Sequence, residues 1–259
     1  MKTTQVIAHI TDWLTDYVDN SGATGFVVGV SGGVDSALTS TLAARTGRPL
    51  LCVEMAIHQH PDQVSRAREH IRFLESQYAN VSDVALDLTG VFDSFIATMP
   101  EANDSELLDM SLANTRARLR MTTLYYFAAL RGALVAGTGN KVEDFGVGFY
   151  TKYGDGGVDL SPIADLMKTE VYSLAEALSV NQAILEASPT DGLWGNDRTD
   201  EDQIGASYPE LEWAMEFSGN DADLSNRERE VLAIYRQRHK ANLHKMNPIP
   251  VCQIPEALK

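Results

Sequence analysis

The chain has few cysteines, an excess of acidic over basic side chains, and no long apolar run. Its two cysteines, Cys52 and Cys252, make a disulfide framework unexpected, and both thiols are interpreted as structural. Lysine and arginine number 21 against 36 aspartate and glutamate, and the formal charge of −15 disfavours binding to nucleic acid or an anionic membrane. No apolar run approaches about 18 residues, so no membrane-spanning helix is expected. We expect a cytoplasmic protein with neither nucleic acid nor membrane as partner.

The chain does contain a short apolar strand followed by two adjacent glycines, Gly32 and Gly33. Glycine adopts backbone conformations closed to other residues, and the N–H groups of this turn and of the next helix can surround an anion. Ser31 and Ser36 add hydroxyl donors, and Asp35 offers a hard oxygen ligand to Mg²⁺. The segment lacks the Gly-Lys-Ser/Thr ending of a Walker A loop, so a kinase-like or GTPase-like phosphate loop is not indicated. An ordinary glycine-rich turn is the alternative.

Apolar periodicity predicts strands alternating with helices along the first half of the chain. The predicted strands are 26–30, 50–55, 84–88 and 133–137, and the predicted helices are 4–19, 35–45, 61–78 and 105–129. This alternation implies an α/β fold, a doubly wound parallel sheet of about five strands flanked by helices. The second half is less regular and predicts helices at 168–177 and 224–239, which form a C-terminal helical extension, with a mobile loop at 188–203.

A second glycine-rich segment, residues 137–143, follows the fourth predicted strand as the first segment follows strand one. Ligands bind parallel sheets at the carboxyl ends of strands, so the two segments are expected to share one site. Thr138 can donate to a phosphate or to adenine, and Glu143 can point a carboxylate at the same place. Asp35 and Glu143 would then hold one Mg²⁺ ion on a triphosphate. A capped helix start is the alternative interpretation.

Three segments carry a resemblance to a known family. Ser-Gly-Gly-x-Asp-Ser at 31–36 resembles the pyrophosphate loop of the N-type ATP pyrophosphatases. Thr-Lys-Tyr-Gly-Asp-Gly-Gly at 151–157, with Gly-Thr-x-x-x-x-Glu at 137–143, resembles the NAD synthetases among them. Further similar segments are 114–121, 162–169, 189–194, 199–201 and 244–245 with the Pro-Ile-Pro that follows. The resemblance covers nearly the whole chain, and it implies one NAD synthetase domain over 1–259 with an adenine nucleotide alpha hydrolase-like fold.

The resemblance implies a ligase that forms a C–N bond. ATP would adenylate the carboxylate of deamido-NAD (nicotinate adenine dinucleotide) and release pyrophosphate, and ammonia would then convert the acyl-adenylate into NAD and AMP. Mg²⁺ would be the cofactor and ATP the co-substrate. Members of the family are homodimers that bind deamido-NAD across the interface, and the apolar helix 105–129 is a candidate dimer surface, with core packing as the alternative.

The site residues follow from the matched positions. Asp35 and Lys168 are expected to be catalytic, and Asp35 and Glu143 to bind the metal. The ATP-binding residues are expected to be Gly29, Val30, Ser31, Gly32, Gly33, Val34, Asp35, Ser36, Thr138, Lys168 and Thr190. Those for deamido-NAD are Arg118, Lys152, Asp159, His244 and Lys245.

Several positions leave alternatives open. Arg118 can instead belong to a solvated basic helix face, and a second pair, His239-Lys240, precedes His244-Lys245. His58 and His60 could form a metal site, although a solvated turn is the favoured interpretation. Asp191 departs from the small residue common in the family.

The nitrogen donor is expected to be free ammonia, because no segment resembles a glutaminase domain. The loop at 190–203 is expected to become ordered over the acyl-adenylate and exclude water from it. Two other functions remain open. One is another N-type pyrophosphatase such as a tRNA-thiolating enzyme, which the acidic charge and the lack of a Cys-x-x-Cys pair disfavour. The other is a non-catalytic regulator of the same fold that binds ATP.

Overall fold

The computed structural model describes residues 1–102, 105–190 and 199–259. Four strands form a parallel sheet in the order β3-β2-β1-β4. The strands are β1 (Phe26–Gly29), β2 (Leu50–Ala56), β3 (Val81–Asp87) and β4 (Leu134–Val135). Strand order reverses at β1, since β2 and β3 lie on one side of it and β4 on the other. A crevice at the carboxyl ends of β1 and β4 is therefore the expected ligand site.

Helices connect and flank these strands. In chain order the helices are α1 (Thr3–Ser21), α2 (Val34–Arg45), α3 (Pro61–Gln77), α4 (Thr89–Ala97), α5 (Ser105–Arg131), a π-helix (Lys141–Val147), α6 (Lys168–Ala177), α7 (Gln182–Leu185), α8 (Asp200–Ile204), α9 (Tyr208–Glu216) and α10 (Asn226–Met246). Short 3₁₀ turns occupy Asp221–Asp223 and Glu256–Leu258. Among the described helices, none has the length and apolar character needed to cross a membrane.

Both faces of the sheet are covered, as the doubly wound prediction requires. On one face, Leu14 of α1, Leu38 of α2 and Leu174 of α6 belong to the largest buried apolar cluster. On the other, Leu124 of α5 packs against a cluster that contains Val27 of β1. Central strands of a parallel sheet are buried on both sides, which explains why β1 and β2 are nearly continuous apolar runs.

The C-terminal helices form a separate apolar cluster around the π-helix. Val142 and Val147 of the π-helix are fully buried there, beside Leu211 of α9 and Val231 of α10. Helix α10 continues to Met246, beyond the predicted end at 239. Its last turns are held because Asn242 Nδ2 donates to Val147 O at 2.8 Å. The helix ends before Pro248, which cannot continue it.

Three local predictions differ from the structure. Within the described residues the sheet has four strands, and the chain after residue 157 adds a single bridge to it, Ala136 to Leu160. Pro162 has no N–H to extend that pairing. Helix α4 was not predicted, and the predicted loop 188–203 contains helix α8, whose Thr199 side chain caps its N-terminus. Residues 191–198 of that loop lie outside the described residues.

Helix α5 contains both core residues and exposed apolar residues. Leu124, Tyr125 and Phe127 pack against the cluster under the sheet. Leu107 and Leu130, by contrast, are 70% and 69% exposed. Core packing therefore accounts for only part of the apolar helix, and the dimer surface stays a prediction.

Burial of His70 leads to a prediction about acid stability. His70 of α3 is fully buried, with Nε2 3.0 Å from Ser40 Oγ of α2. Burial lowers its pKa from 6.5 to about 4. Between these values the unfolded chain binds more protons than the folded one, so the free energy of unfolding falls as pH is lowered from 6.5 to 4. The full shift corresponds to about 3 kcal/mol.

Urea unfolding of His70→Gln at a series of pH values checks this prediction. The variant is expected to show a shallower loss of stability than the wild type between pH 6.5 and 4, whatever its stability at pH 7. His9→Gln, at an exposed position of α1, is the matched control and is expected to keep the wild-type dependence. Parallel curves for wild type and His70→Gln would contradict the prediction.

Candidate active site

The glycine-rich turn connects β1 to α2 and lines a cleft of about 260 Å³ with all of residues 29–36. Gly32 has φ +84°, in the left-handed region, and a Cβ there would lie 2.6 Å from Gln63 O of α3. Only glycine fits this position. Gly33 is the N-cap of α2 and has no capping side chain. The first N–H groups of α2 are therefore left for an anion, as the sequence predicts.

The second glycine-rich segment reaches the same cleft, because β4 pairs directly with β1. Gly137, Thr138 and Gly139 all line it. The side chain of Asn140 joins the two segments. Its Oδ1 accepts from Val142 N and Glu143 N, each at 3.1 Å, and its Nδ2 donates to Asp35 Oδ1 at 3.0 Å. The capped helix start that was the alternative interpretation of this segment is present as a π-helix, and it positions Glu143.

Lys168 lies between Asp35 and Glu143. Its Nζ donates to Asp35 Oδ2 at 2.6 Å and to Glu143 Oε1 at 2.8 Å. The lysine side chain is 3% exposed and each carboxylate 17% exposed. Three predicted site residues from three different parts of the chain therefore form one ion cluster at the edge of the cleft.

Mutual electrostatics decide the ionisation of this cluster. Burial would lower the pKa of Lys168, but the two carboxylates raise it well above its usual range, so the amine stays charged. Burial raises the pKa of Asp35, and the ammonium only partly offsets this. Burial also acts to raise the pKa of Glu143, but the Lys168 charge and the hydrogen bonds to Lys168 and Tyr208 bring it below its ordinary value.

The two carboxylates suit a Mg²⁺ ion in chemistry and number. Mg²⁺ is usually bound in proteins by one or two carboxylates, with the remaining positions taken by water and phosphate oxygens. Among the described residues no group of three or more potential metal ligands occurs, so a closed all-protein metal site is not present there. Asp35 and Glu143 fit a cation that binds together with a phosphate ligand.

Tyr208, which sequence reasoning missed, completes the cluster from α9. Its hydroxyl is 2.5 Å from Glu143 Oε1 and 3.3 Å from Asp200 Oδ2, and its ring lies 4.8 Å from Lys168 Nζ. Burial and the neighbouring carboxylates raise the pKa of Tyr208 far above its usual value, so the hydroxyl stays protonated and donates. No local sequence pattern indicates this contact, since Tyr208 and Glu143 are 65 residues apart.

Removing the Tyr208 hydroxyl is expected to destabilise the folded protein. Tyr208→Phe is expected to lower the free energy of unfolding by about 1.5–3 kcal/mol, since it removes a buried hydrogen bond to a charged acceptor. Tyr235→Phe is the matched control. Tyr235 packs against the same C-terminal cluster, and no described hydrogen bond involves its hydroxyl, so we expect a change below about 0.5 kcal/mol. Denaturant unfolding of the two variants measures these changes. Equal losses of unfolding free energy in both would contradict the stabilising role of the hydrogen bond from the Tyr208 hydroxyl.

The five residues expected to hold deamido-NAD fall into two groups, and none of them lines the cleft wall. Arg118 Nη2 donates to Lys152 O at 3.3 Å, and Lys152 Nζ donates to His244 O. Lys245 Nζ donates to Gly148 O and Tyr150 O at 2.8 and 2.7 Å. These four residues are thus brought together beside the end of α10.

Asp159 stands apart from that group. Its carboxylate accepts from Val135 N at 2.8 Å and from Tyr125 OH at 3.0 Å, next to β4. Thr190, the predicted ATP contact, does line the cleft, beside Pro189.

The histidines that left alternatives open have local partners. His239 Nδ1 lies 2.8 Å from Gly146 O, so this histidine contacts the π-helix. His58 Nε2 lies 2.7 Å from Asp93 Oδ1, and His60 caps the N-terminus of α3. The turn that holds His58 and His60 is exposed or partly exposed, in agreement with the favoured interpretation.

A parallel sheet whose strand order reverses at a glycine-rich turn, with charged side chains converging on that turn, is typical of ligand-binding proteins of the α/β class. Comparison with known proteins gives the family. A family model described as NAD synthase matches residues 6–248, and the chain belongs to the NAD synthase family. The resemblance predicted from its motifs is confirmed.

Individual relatives agree with this. The NH(3)-dependent NAD(+) synthetase of Carboxydothermus hydrogenoformans is 36% identical over 216 residues, 83% of this chain and 86% of that protein. That of Syntrophomonas wolfei is 34% identical over 261 residues and 100% of both chains. Among solved structures, NMN synthetase from Francisella tularensis has a TM-score of 0.84 at 29% identity over 99% of each chain. NH3-dependent NAD synthetase from Campylobacter jejuni has a TM-score of 0.77 at 26% identity, over 98% of this chain and 100% of that one.

Proposed function

We propose that this chain is a ligase that uses ATP to amidate deamido-NAD with ammonia, forming NAD, AMP and pyrophosphate. The observation that carries the proposal is the cluster of Lys168, Asp35 and Glu143 beside the glycine-rich turn, in a chain of the NAD synthase family. A carboxylate resists attack by ammonia, so the reaction requires prior activation of that group by ATP.

Activation would proceed by attack of the nicotinate carboxylate on the α-phosphorus of ATP, with cleavage of the bond to the β-phosphate. The glycine-rich turn and the N-terminus of α2 would bind the phosphates through backbone N–H groups. Lys168, held at the edge of the turn, would stabilise negative charge on the departing pyrophosphate. Asp35 and Glu143 would hold Mg²⁺, which supplies further positive charge for the phosphate oxygens.

Amidation would follow by attack of ammonia on the acyl carbon, with AMP as the leaving group. The nitrogen must then lose a proton. Asp155 lines the cleft and accepts a hydrogen bond from Thr151 N at 2.9 Å. Its exposed carboxylate is placed to accept that proton.

The remaining features are proposed with the function. Residues 1–259 would act as one domain, and a homodimer would use the exposed apolar part of α5. Arg118, Lys152, Asp159, His244 and Lys245 would bind deamido-NAD. The two cysteines are unpaired, which supports a reducing cytoplasmic location.

A second candidate substrate comes from one comparison. The solved structure with a TM-score of 0.84 is an NMN synthetase, and amidation of nicotinate mononucleotide needs the same chemistry on a shorter substrate. Both substrates present the same nicotinate carboxylate, so the discriminating measurement is the ratio of their kcat/KM values.

The test uses the purified chain with ATP, Mg²⁺, ammonium and either deamido-NAD or nicotinate mononucleotide. Formation of NAD with stoichiometric AMP and pyrophosphate supports the proposal, and a higher kcat/KM for the mononucleotide favours the second candidate. Binding of ATP without release of pyrophosphate would instead indicate the non-catalytic regulator. Glutamine freed of ammonium is expected to give no product, and the rate at fixed total ammonium is expected to rise with pH, since ammonia is the nucleophile.

A further inference from the structure

Arg66 lies in the second turn of α3, directly against the glycine-rich turn. Its Nε donates to Gly32 O at 3.4 Å, and a Cβ on Gly32 would lie only 3.3 Å from the Cβ of Arg66. The side chain is partly buried and lines the cleft. Close packing between α3 and the turn therefore places a guanidinium beside the backbone that faces the anion.

The charge balance of the cleft makes this cation important. Its described lining includes six carboxylates, those of Asp35, Glu54, Glu143, Asp144, Asp155 and Asp200. The described cations that line it are Arg66, Arg120 and Lys168. Glu54 is paired with Arg68, but the other carboxyl groups still oppose the approach of a polyphosphate, so a further cation at the turn would favour binding together with the proposed Mg²⁺.

Two of the three cations are already engaged. Lys168 is bound by two carboxylates. Arg120 donates to Met55 O at 3.1 Å and to Gln59 Oε1 at 2.7 Å. Arg66 donates one long hydrogen bond, to the carbonyl of Gly32, and within the described part of the chain no carboxylate lies at ion-pair distance from it. Of the three described cations it therefore has the fewest hydrogen bonds and lies directly against the glycine-rich turn.

We propose that Arg66 binds the β- and γ-phosphates of ATP, the group that leaves as pyrophosphate. The inference rests on the proposed use of ATP by this site. A guanidinium presents a planar set of N–H donors that matches two phosphate oxygens at once, which an ammonium cannot do. Contact with the Gly32 carbonyl orients the guanidinium beside the N-terminus of α2, where the phosphates are expected.

The experiment measures nucleotide binding without turnover. Calorimetric titration with α,β-methylene-ATP and Mg²⁺, and separately with AMP, compares the wild type with Arg66→Gln, Arg66→Lys and Arg72→Gln. Arg66→Gln is expected to weaken binding of the triphosphate roughly 10- to 100-fold, the range of a lost hydrogen bond to a charged group, and that of AMP less than about twofold. Arg66→Lys should fall between Arg66→Gln and the wild type.

Arg72→Gln is the matched control, because Arg72 is exposed on the same helix and its removal changes the net charge equally. It is expected to bind both nucleotides as the wild type does. Steady-state assays add a second readout, in which Arg66→Gln raises the KM for ATP and leaves the KM for ammonia unchanged.

Three results would overturn the inference: unchanged triphosphate affinity in Arg66→Gln, equal weakening of ATP-analogue and AMP binding, or an equal effect of Arg72→Gln. Failure of the proposed function has a different signature. A wild type that binds the analogue but forms no NAD would refute the ligase while leaving the Arg66 effect on binding measurable. A wild type that binds no triphosphate would refute both.

Discussion

Replacing Asp35 or Glu143 by alanine is expected to lower kcat/KM for NAD formation by at least about 10³-fold, which corresponds to about 4 kcal/mol. Each carboxylate accepts a hydrogen bond from the buried Lys168, and the two are the residues that suit Mg²⁺. Either substitution leaves the Lys168 ammonium with one carboxylate and removes half of the proposed metal site. The loss should therefore exceed that of an ordinary surface ion pair by far.

Asp165→Ala is the matched control. Asp165 is a carboxylate 2.9 Å from Lys141 Nζ, but its side chain is 97% exposed. We expect its activity to stay within about twofold of the wild type. Activity is measured as NAD formed against Mg²⁺ concentration, with folding monitored by circular dichroism. Activity of Asp35→Ala or Glu143→Ala within tenfold of the wild type, at an unchanged Mg²⁺ requirement, would contradict the prediction.

Lys168→Met is expected to abolish measurable turnover and to lower the free energy of unfolding by about 3–5 kcal/mol, the range for breaking a buried ion pair by removing one partner. Without the ammonium, Asp35 and Glu143 face each other in a buried site with no compensating cation. The loss of stability is expected to shrink at acid pH, because protonation of one carboxylate removes their repulsion.

A second substitution tests that cause. Lys168→Met combined with Asp35→Asn removes one of the two opposing charges and should recover part of the lost stability, although not the activity. Lys141→Met, which removes an exposed lysine paired with an exposed aspartate, should change stability by less than about 1 kcal/mol. Denaturant unfolding of these proteins and of Asp35→Asn alone completes the cycle, and losses in the double variant equal to the sum of the two single losses would contradict the electrostatic explanation.

The glycine-rich turn could be predicted from sequence because its signals are local. An apolar strand, two glycines, an acid and a helix start follow one another within residues 26–36, and each has a conformational preference of its own. The same applies to β2, where a continuous apolar run indicates a strand buried on both faces. The two glycine-rich segments predicted that Asp35 and Glu143 share a site, and the family resemblance added Lys168.

Other features had no local signal. Helix α10 is predicted to end at 239. It continues because Asn242 donates to the carbonyl of Val147, the last residue of the π-helix, and Lys245 to that of Gly148, which follows it. Similarly, residues 159–160 join the sheet in a single bridge, since β4 is two residues long and Pro162 ends the pairing.

By itself the sequence determined the class of the protein, the family resemblance and the position of the glycine-rich turn, since these depend on short segments and on residue types. Tertiary structure decided which charges meet. Lys168 is 133 residues from Asp35, Tyr208 is 65 from Glu143, and Arg66 is 34 from Gly32. Contacts at such separations depend on how the helices pack against the sheet and against each other, and no periodicity along the chain encodes that packing.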